Sequence, residues 1–241
     1  MVEGGPNRAF SRRLHRSQLA ENLHTTKVSA KSPSSGLTGK TVSLYTSIQM
    51  RRMPMDFKTL LMNRRSIRDF QDREVPLTVV QEILQDTCLA PTASNGQPCR
   101  FIIIRDRGVM KRLSDESRRN LLADLAGNPD APMKMYEAAL RDDAFNVFYN
   151  APCLIYITGP QEVPSLEVDS ALTAAYLMFS AASRGLGTCW IGLGAHIRGH
   201  EILRETGVPE GCRIVAPIIL GYPTAIPPAS ERHTPDIVRV I

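Results

Sequence analysis

Hydrophobic and polar positions along the chain change period several times, and each change marks an element. Residues 1–54 show no apolar period and are rich in Ser, Thr, Arg and Gly, as in K-S-P-S-S-G-L-T-G-K. Such a segment cannot bury enough surface to offset its ordering entropy, so it reads as a disordered leader. In D-F-K-T-L-L-M-N, residues 56–63, Asp56 stands at an N-cap position and Phe57, Leu60 and Leu61 share one face, which predicts a short helix. Pro76 opens a second helix, with Val79, Val80, Ile83, Leu84 and Cys88 at helical spacing, that should stop at Pro91. The β-branched run F-I-I-I at 101–104 predicts a buried strand, and residues 109 to about 125 a third helix.

After the breaker stretch G-N-P-D-A-P-M, a further helical run extends to about residue 148. It carries Met133, Met135, Tyr136, Phe145 and Phe148, which suit either ordinary amphipathic packing or a lid over a pocket. A second buried strand is expected at 153–158, between Pro152 and Gly159. Residues 170–183 form a helix without a single charge, and a helix apolar all round must be buried all round, centrally or across a subunit contact. Arg184 and Gly185 supply its C-terminal signals. A short helix at 198–206 ends at Gly207, a third strand at 213–220 ends at G-Y-P, and the tail finishes in another strand-like run, D-I-V-R-V-I. Strands separated by helices predict an α+β sandwich with one central sheet.

Composition narrows the function classes. With 43% hydrophobic residues the chain can bury a core, and no window approaches the roughly 20 apolar residues a membrane span needs. The net charge of +5 suggests a polyanion partner until it is divided by region. Residues 1–54 hold nine Lys/Arg against two acids, and the remainder 20 against 22, so the folded part is slightly acidic and gives nucleic-acid binding little support. The basic leader admits three readings: a nucleic-acid-binding tail, an organellar transit peptide without a convincing amphipathic helix, or, the reading favoured here, sequence upstream of a start at Met55. Five cysteines without C-x-x-C spacing suit buried thiols in a reducing cytoplasm. His196 and His200 stand four apart, but Gly199 weakens a helix across them and no third ligand is evident, so no metal site is expected.

Candidate chemistry gathers in separated segments. N-R-R-S-I-R-D-F places the guanidinium groups of Arg64, Arg65 and Arg68 and the Ser66 hydroxyl within a few residues. These suit phosphate oxygens, although a solvated basic loop would look the same. A-P-T-A-S-N-G-Q-P brings Asn95 and Gln97, amides that both donate and accept, into a loop of small residues; Asn95 and Gly96 alone would also make a turn. G-L-G-T-C-W-I-G-L-G has the look of a dinucleotide fingerprint but follows a helix and has Trp190 where the third glycine belongs. No Ser/His/Asp or Cys/His arrangement is visible among these motifs.

R-R-S-I-R at 64–68, A-P-T-A-S-N-G-Q-P at 90–98, G-L-G-T-C-W-I-G at 185–192 and L-G-Y-P at 220–223, in this order and spacing, resemble the FMN-dependent nitroreductase family over residues 55–241. The resemblance implies a three-layer sandwich with a mostly antiparallel sheet, and a homodimer with FMN at the interface and exchanged C-terminal arms. It also implies hydride transfer from NADH or NADPH to a nitroaromatic, quinone or other small electron-poor acceptor by a ping-pong mechanism. By that resemblance Arg64, Arg65, Ser66 and Arg68 hold the phosphate and ribityl chain, and Asn95, with Gln97 beside it, contacts the flavin. Trp190, Ile191, Gly192 and Leu193 line the isoalloxazine, and Arg232 completes the phosphate site. The chemistry belongs to flavin N5, so no side chain is expected to be catalytic. Cys99 departs from the pattern where an aromatic residue often follows Q-P. Alternatives are a specialised member of the fold, dehalogenating, flavin-fragmenting or dehydrogenating, and a flavin-binding protein without turnover.

Overall fold

The computed structural model describes residues 56–241; the leader and the start at Met55 lie outside them. Helix α1 (Phe57–Asn63) begins as expected, the Asp56 carboxylate accepting from the Thr59 N–H at 3.0 Å. Its face is a different matter: only Leu60 is buried, and Phe57 and Leu61 are exposed. Helix α2 (Leu77–Thr87) follows Pro76 and stops three residues short of Ala90. Strand β1 (Arg100–Ile104), helix α3 (Arg107–Gly127), helix α4 (Glu137–Arg141), strand β2 (Cys153–Pro160) and helix α5 (Leu166–Ser183) come next. Strand β3 (Gly187–Trp190), helix α6 (His200–Glu205) and strand β4 (Cys212–Gly221) complete the fold.

The strands form one antiparallel sheet in the order β1-β2-β4-β3. Successive side chains of a strand point to opposite faces, and a sheet covered on both sides is apolar on both. In β2, Cys153, Ile155 and Ile157 join Ile218 and Leu220 of β4 in a core with Val80 and Ile83 of α2 and Ala174 and Leu177 of α5. Leu154 and Tyr156 point the other way, into a second core with Leu113 and Leu121 of α3, Leu140 of α4 and Phe148. The result is three layers: α2 and α5, the sheet, then α3 and α4.

Three regions differ from expectation. The run expected to be helical up to residue 148 is only a short turn of 3₁₀ helix (Pro132–Tyr136) and α4, followed by turns. Helix α5 starts a turn before the uncharged run, because Glu167 and Asp169 in its first turn complement the helix dipole. Within this one chain it is not buried centrally on every face, since Val168, Leu172 and Tyr176 are exposed, and the subunit-contact alternative stays open. Its end does follow the sequence signals. Gly185 takes φ +73°, and Leu186 N–H to Ala181 O at 3.0 Å with Gly185 N–H to Ala182 O at 2.9 Å close a Schellman motif. Finally, residues 225–241 form no strand and leave Ile237, Val238, Val240 and Ile241 exposed.

Candidate functional site

The basic segment is fixed by the edge of the sheet. Ile67 N–H donates to Thr188 O at 2.9 Å, a parallel bridge joins Ser66 to Thr188, and Gln71 N–H reaches Tyr222 O at 2.9 Å. The segment therefore runs along β3 and the end of β4 as a short added strand. Gly187 makes this approach possible, since a Cβ there would meet Ile67 side-chain atoms at 2.7–2.9 Å. Backbone pairing of alternate residues anchors Ile67 in the core and leaves Ser66 and Arg68 exposed. Ser66, Arg68 and Arg64 surround the Cys189 thiol of β3. Burial raises its pKa, while the two arginines and the Ser66 hydroxyl pull it the other way.

The arginines are not equivalent. Arg65 turns back onto the end of α1, its Nη1 donating to Met62 O at 2.6 Å and Arg64 O at 2.9 Å. These are orphan carbonyls of a helix C-terminus, so Arg65 acts here as a cap, with its Nε buried and unpartnered among the described residues. Arg68 lies over the Tyr149 ring, 5.7 Å from its centroid. Arg64 and Arg65 line an open cleft of about 250 Å³ with Leu60, Ile67, Ala182 and Pro223. That cleft does not include Trp190 to Leu193 or the Asn95 loop, so by itself it cannot hold a ligand that spans all the predicted residues.

The Asn95 loop is a place of backbone strain. Ser94, Asn95 and Gln97 take φ of 51°, 54° and 46°, values uncommon for residues with a side chain, and Gly96 does not share them. Buried Asp169 of α5 holds the loop, accepting from Ala93 N–H at 2.9 Å and from Ser165 Oγ at 2.8 Å. Thr92 Oγ1 accepts from Gln97 N–H at 3.1 Å. Gln97 Nε2 donates to Asn95 Oδ1 at 3.1 Å, so the two amides are linked and both are exposed. Behind the loop, a cavity of about 120 Å³ is lined by Gln97, Cys99, Phe101 and Thr173.

Trp190 ends β3, and Ile191 N–H donates to Pro217 O at 2.8 Å, which carries the chain from the sheet into the 3₁₀ turn Gly192–Ala195. Ile191 and Leu193 are buried, whereas Gly192 faces open space, with nothing within 4 Å of where its Cβ would stand. Its backbone is thus open to a ligand. Arg232 lies exposed on the extended tail. His196 and His200 do not share a helix: His196 follows the 3₁₀ turn, 3.9 Å from Asp124, and His200 begins α6. Burial lowers the His196 pKa, and the Asp124 carboxylate opposes that shift.

Sequence reasoning missed Thr188, Asp169 and Tyr149. G-T-C-W was legible as a loop motif rather than a strand, and Asp169 lay just outside the uncharged run. Tyr149 gave no periodic signal, because its position depends on a left-handed turn.

Comparison with known proteins agrees with this geometry. The profile described as Nitroreductase family matches residues 61–222. A Methanothermobacter thermautotrophicus protein, named provisionally as an NADH dehydrogenase/NAD(P)H nitroreductase, is 26% identical over 208 residues, covering 84% of this chain and 96% of its own. A 4-nitrobenzoate reductase of Nocardioides sp. is 26% identical over 212 residues, covering 74% of this chain and 85% of its own. Among solved structures, a nitroreductase of Bacteroides fragilis with bound FMN superposes with a TM-score of 0.64 at 18% identity, over 76% of this chain and 96% of that one. Motifs, layer order and profile lead to one conclusion: the chain belongs to the nitroreductase family and has its α+β fold.

Proposed function

We propose that the protein is an FMN-dependent oxidoreductase that uses NADH or NADPH to reduce a nitroaromatic, quinone or similar electron-poor acceptor, acting in the cytoplasm as a homodimer. The observation that carries the reading is the convergence on β3 of a basic segment and an open glycine backbone, with Ser66 bridged to Thr188 at its start and Gly192 just past its end. The donor set suits FMN. Arg64, Arg68 and the Ser66 hydroxyl offer charge-assisted and neutral hydrogen bonds to a phosphate, with Arg232 from the tail as a further cation. Arg65 keeps a donor through its unpartnered Nε. Asn95 and Gln97 supply exposed amides for ring heteroatoms, and the backbone from Trp190 to Leu193 offers a wall with a gap at Gly192. Bound FMN would supply the hydride-accepting and hydride-donating chemistry that none of these side chains can provide. The chain's own task is to bind, orient and shield.

The homodimer is supported by an apolar surface that a single chain leaves open. Phe57, which is 66% exposed, packs edge to face on Phe179 at 6.1 Å, so α1 and α5 present one surface with Leu61, Met62, Val168, Leu172 and Tyr176. A contiguous patch of that kind marks an interaction site. The extended tail, with four exposed aliphatic residues at its end, supports an arm that packs on the partner.

The test is anaerobic. Protein loaded with FMN should bleach with NADH or NADPH, and recover its colour when a nitroaromatic or quinone is added afterwards. Initial rates should give parallel double-reciprocal lines, as one site serves both substrates in turn. A monomer that takes up no added FMN would sink the reading.

A further inference from the structure

Tyr149 has no part in the family motifs above, yet its backbone is built at a cost. It and Asn150 take φ of 53° and 52°, consecutive left-handed residues, which for a bulky aromatic is a genuine outlier. Such strain persists only where the surroundings impose it. Here they do so through Asn146, whose carbonyl accepts from Tyr149 N–H at 2.9 Å. Its Oδ1 accepts from Phe148 N–H at 2.8 Å, and its Nδ2 donates to Asn150 Oδ1 at 2.9 Å. Phe145 adds an edge-to-face contact at 5.8 Å to the Tyr149 ring. What this turn achieves is to place the ring against the Arg68 guanidinium, 5.7 Å from the centroid.

The choice of partner matters. Nearby in sequence, Asp72 is engaged by Arg107 and Glu74 by Arg105, while Arg68 pairs with no carboxylate among the described residues. A carboxylate would fix Arg68 but neutralise it, and would compete with any anion for its N–H groups. A ring face attracts the cation through its quadrupole and takes none of those donors. We propose that Tyr149 is the positioning residue for Arg68, holding the guanidinium in place with its charge and donors free for a phosphate ester. This rests on the assignment of the basic segment to the FMN phosphate.

The experiment compares FMN with riboflavin, which lacks the phosphate, by fluorescence titration of the apoprotein. Wild type should bind FMN more tightly, and Arg68→Ala should lose most of that preference. If wild type shows no preference, the phosphate assignment itself fails. Given the preference, Tyr149→Leu should reduce FMN affinity about five- to tenfold and leave riboflavin affinity unchanged, while Tyr149→Phe should keep both. Because Tyr149→Leu can disturb the turn, a series of increasingly fluorinated phenylalanines at 149 provides a shape-preserving version. FMN preference should fall stepwise as the ring face loses electron density. Preference that is flat across that series, or that falls equally for FMN and riboflavin, overturns the proposal.

Discussion

The two faces of α5 are made of similar residues and meet opposite fates. Toward the sheet, Ala174, Leu177 and Ala181 are fully buried beside Ile155 and Ile218. Away from it, Val168, Leu172 and Tyr176 stand exposed, as do Phe57, Leu61 and Met62 of α1, which meets α5 through Phe57 and Phe179. The difference lies in what each face is closed by. The inner face is completed by the chain's own strands, so its energetics are those of a core. The outer face is left open by the described residues of this chain, and the motif segment R-R-S-I-R begins where α1 ends.

The sharpest way to probe the inner face is Leu177→Ala. Removing a fully buried leucine beneath the sheet leaves a cavity and should cost about 2–5 kcal/mol, seen as a lower denaturant midpoint with an unchanged slope. The same kind of change outside should behave differently. Tyr176→Asp leaves the isolated fold intact but should shift a dimer to monomer, raising the dissociation constant at least about thirtyfold, as for a central interface aromatic. Far-UV circular dichroism checks that the fold is intact, and analytical ultracentrifugation measures the dissociation. If Tyr176→Asp remained fully dimeric, the outer face would not be the contact.

Arg68→Ala tests the polar margin of the open region. A charge-assisted hydrogen bond contributes about 1.5–3 kcal/mol, so FMN affinity should fall about one to two decades. Turnover per bound flavin, measured with FMN in excess, should stay within about tenfold, roughly 1.4 kcal/mol in barrier. An Arg68→Ala protein that keeps its FMN but loses turnover would place the arginine in the chemistry instead.

These contrasts also explain what could be read in advance. The continuous apolar runs at 153–158 and 213–220 signalled strands because both faces of β2 and β4 are buried, and Asp56 and Gly185 acted locally as cap and stop. Strand β3 was not legible, since G-T-C-W becomes a strand only between the β4 edge and Ile67. The final D-I-V-R-V-I has strand composition but pairs with no strand among the described residues. Of the candidate site, Ser66, Arg68, Asn95, Gln97 and Gly192 are exposed as a binding site requires. For Arg65, proximity in sequence did not reveal that its guanidinium turns back onto the end of its own helix.

The smallest effect should come from the polar link between α2 and α5. Asp86 of α2 accepts from Ser180 Oγ at 2.8 Å and from Arg184 Nη1 at 2.7 Å, at the end of α5 where Gly185 turns the chain toward β3. The Ser180 hydrogen bond, followed by Arg184, lowers the Asp86 pKa below its usual 3.8, against the effect of burial. A carboxylate with a depressed folded-state pKa stabilises the fold above its unfolded pKa and loses that contribution as pH falls through the folded value. Asp86 is half exposed, so the pair is worth only about 0.2–1 kcal/mol. Asp86→Asn should therefore melt slightly below wild type at neutral pH, and the gap should close as pH drops below the carboxylate range. Because the link lies on neither face of the comparison, dimerisation should not change. A gap that stayed constant with pH would mean that the amide disturbs packing at this end of α5, and that the charge of Asp86 contributes nothing there.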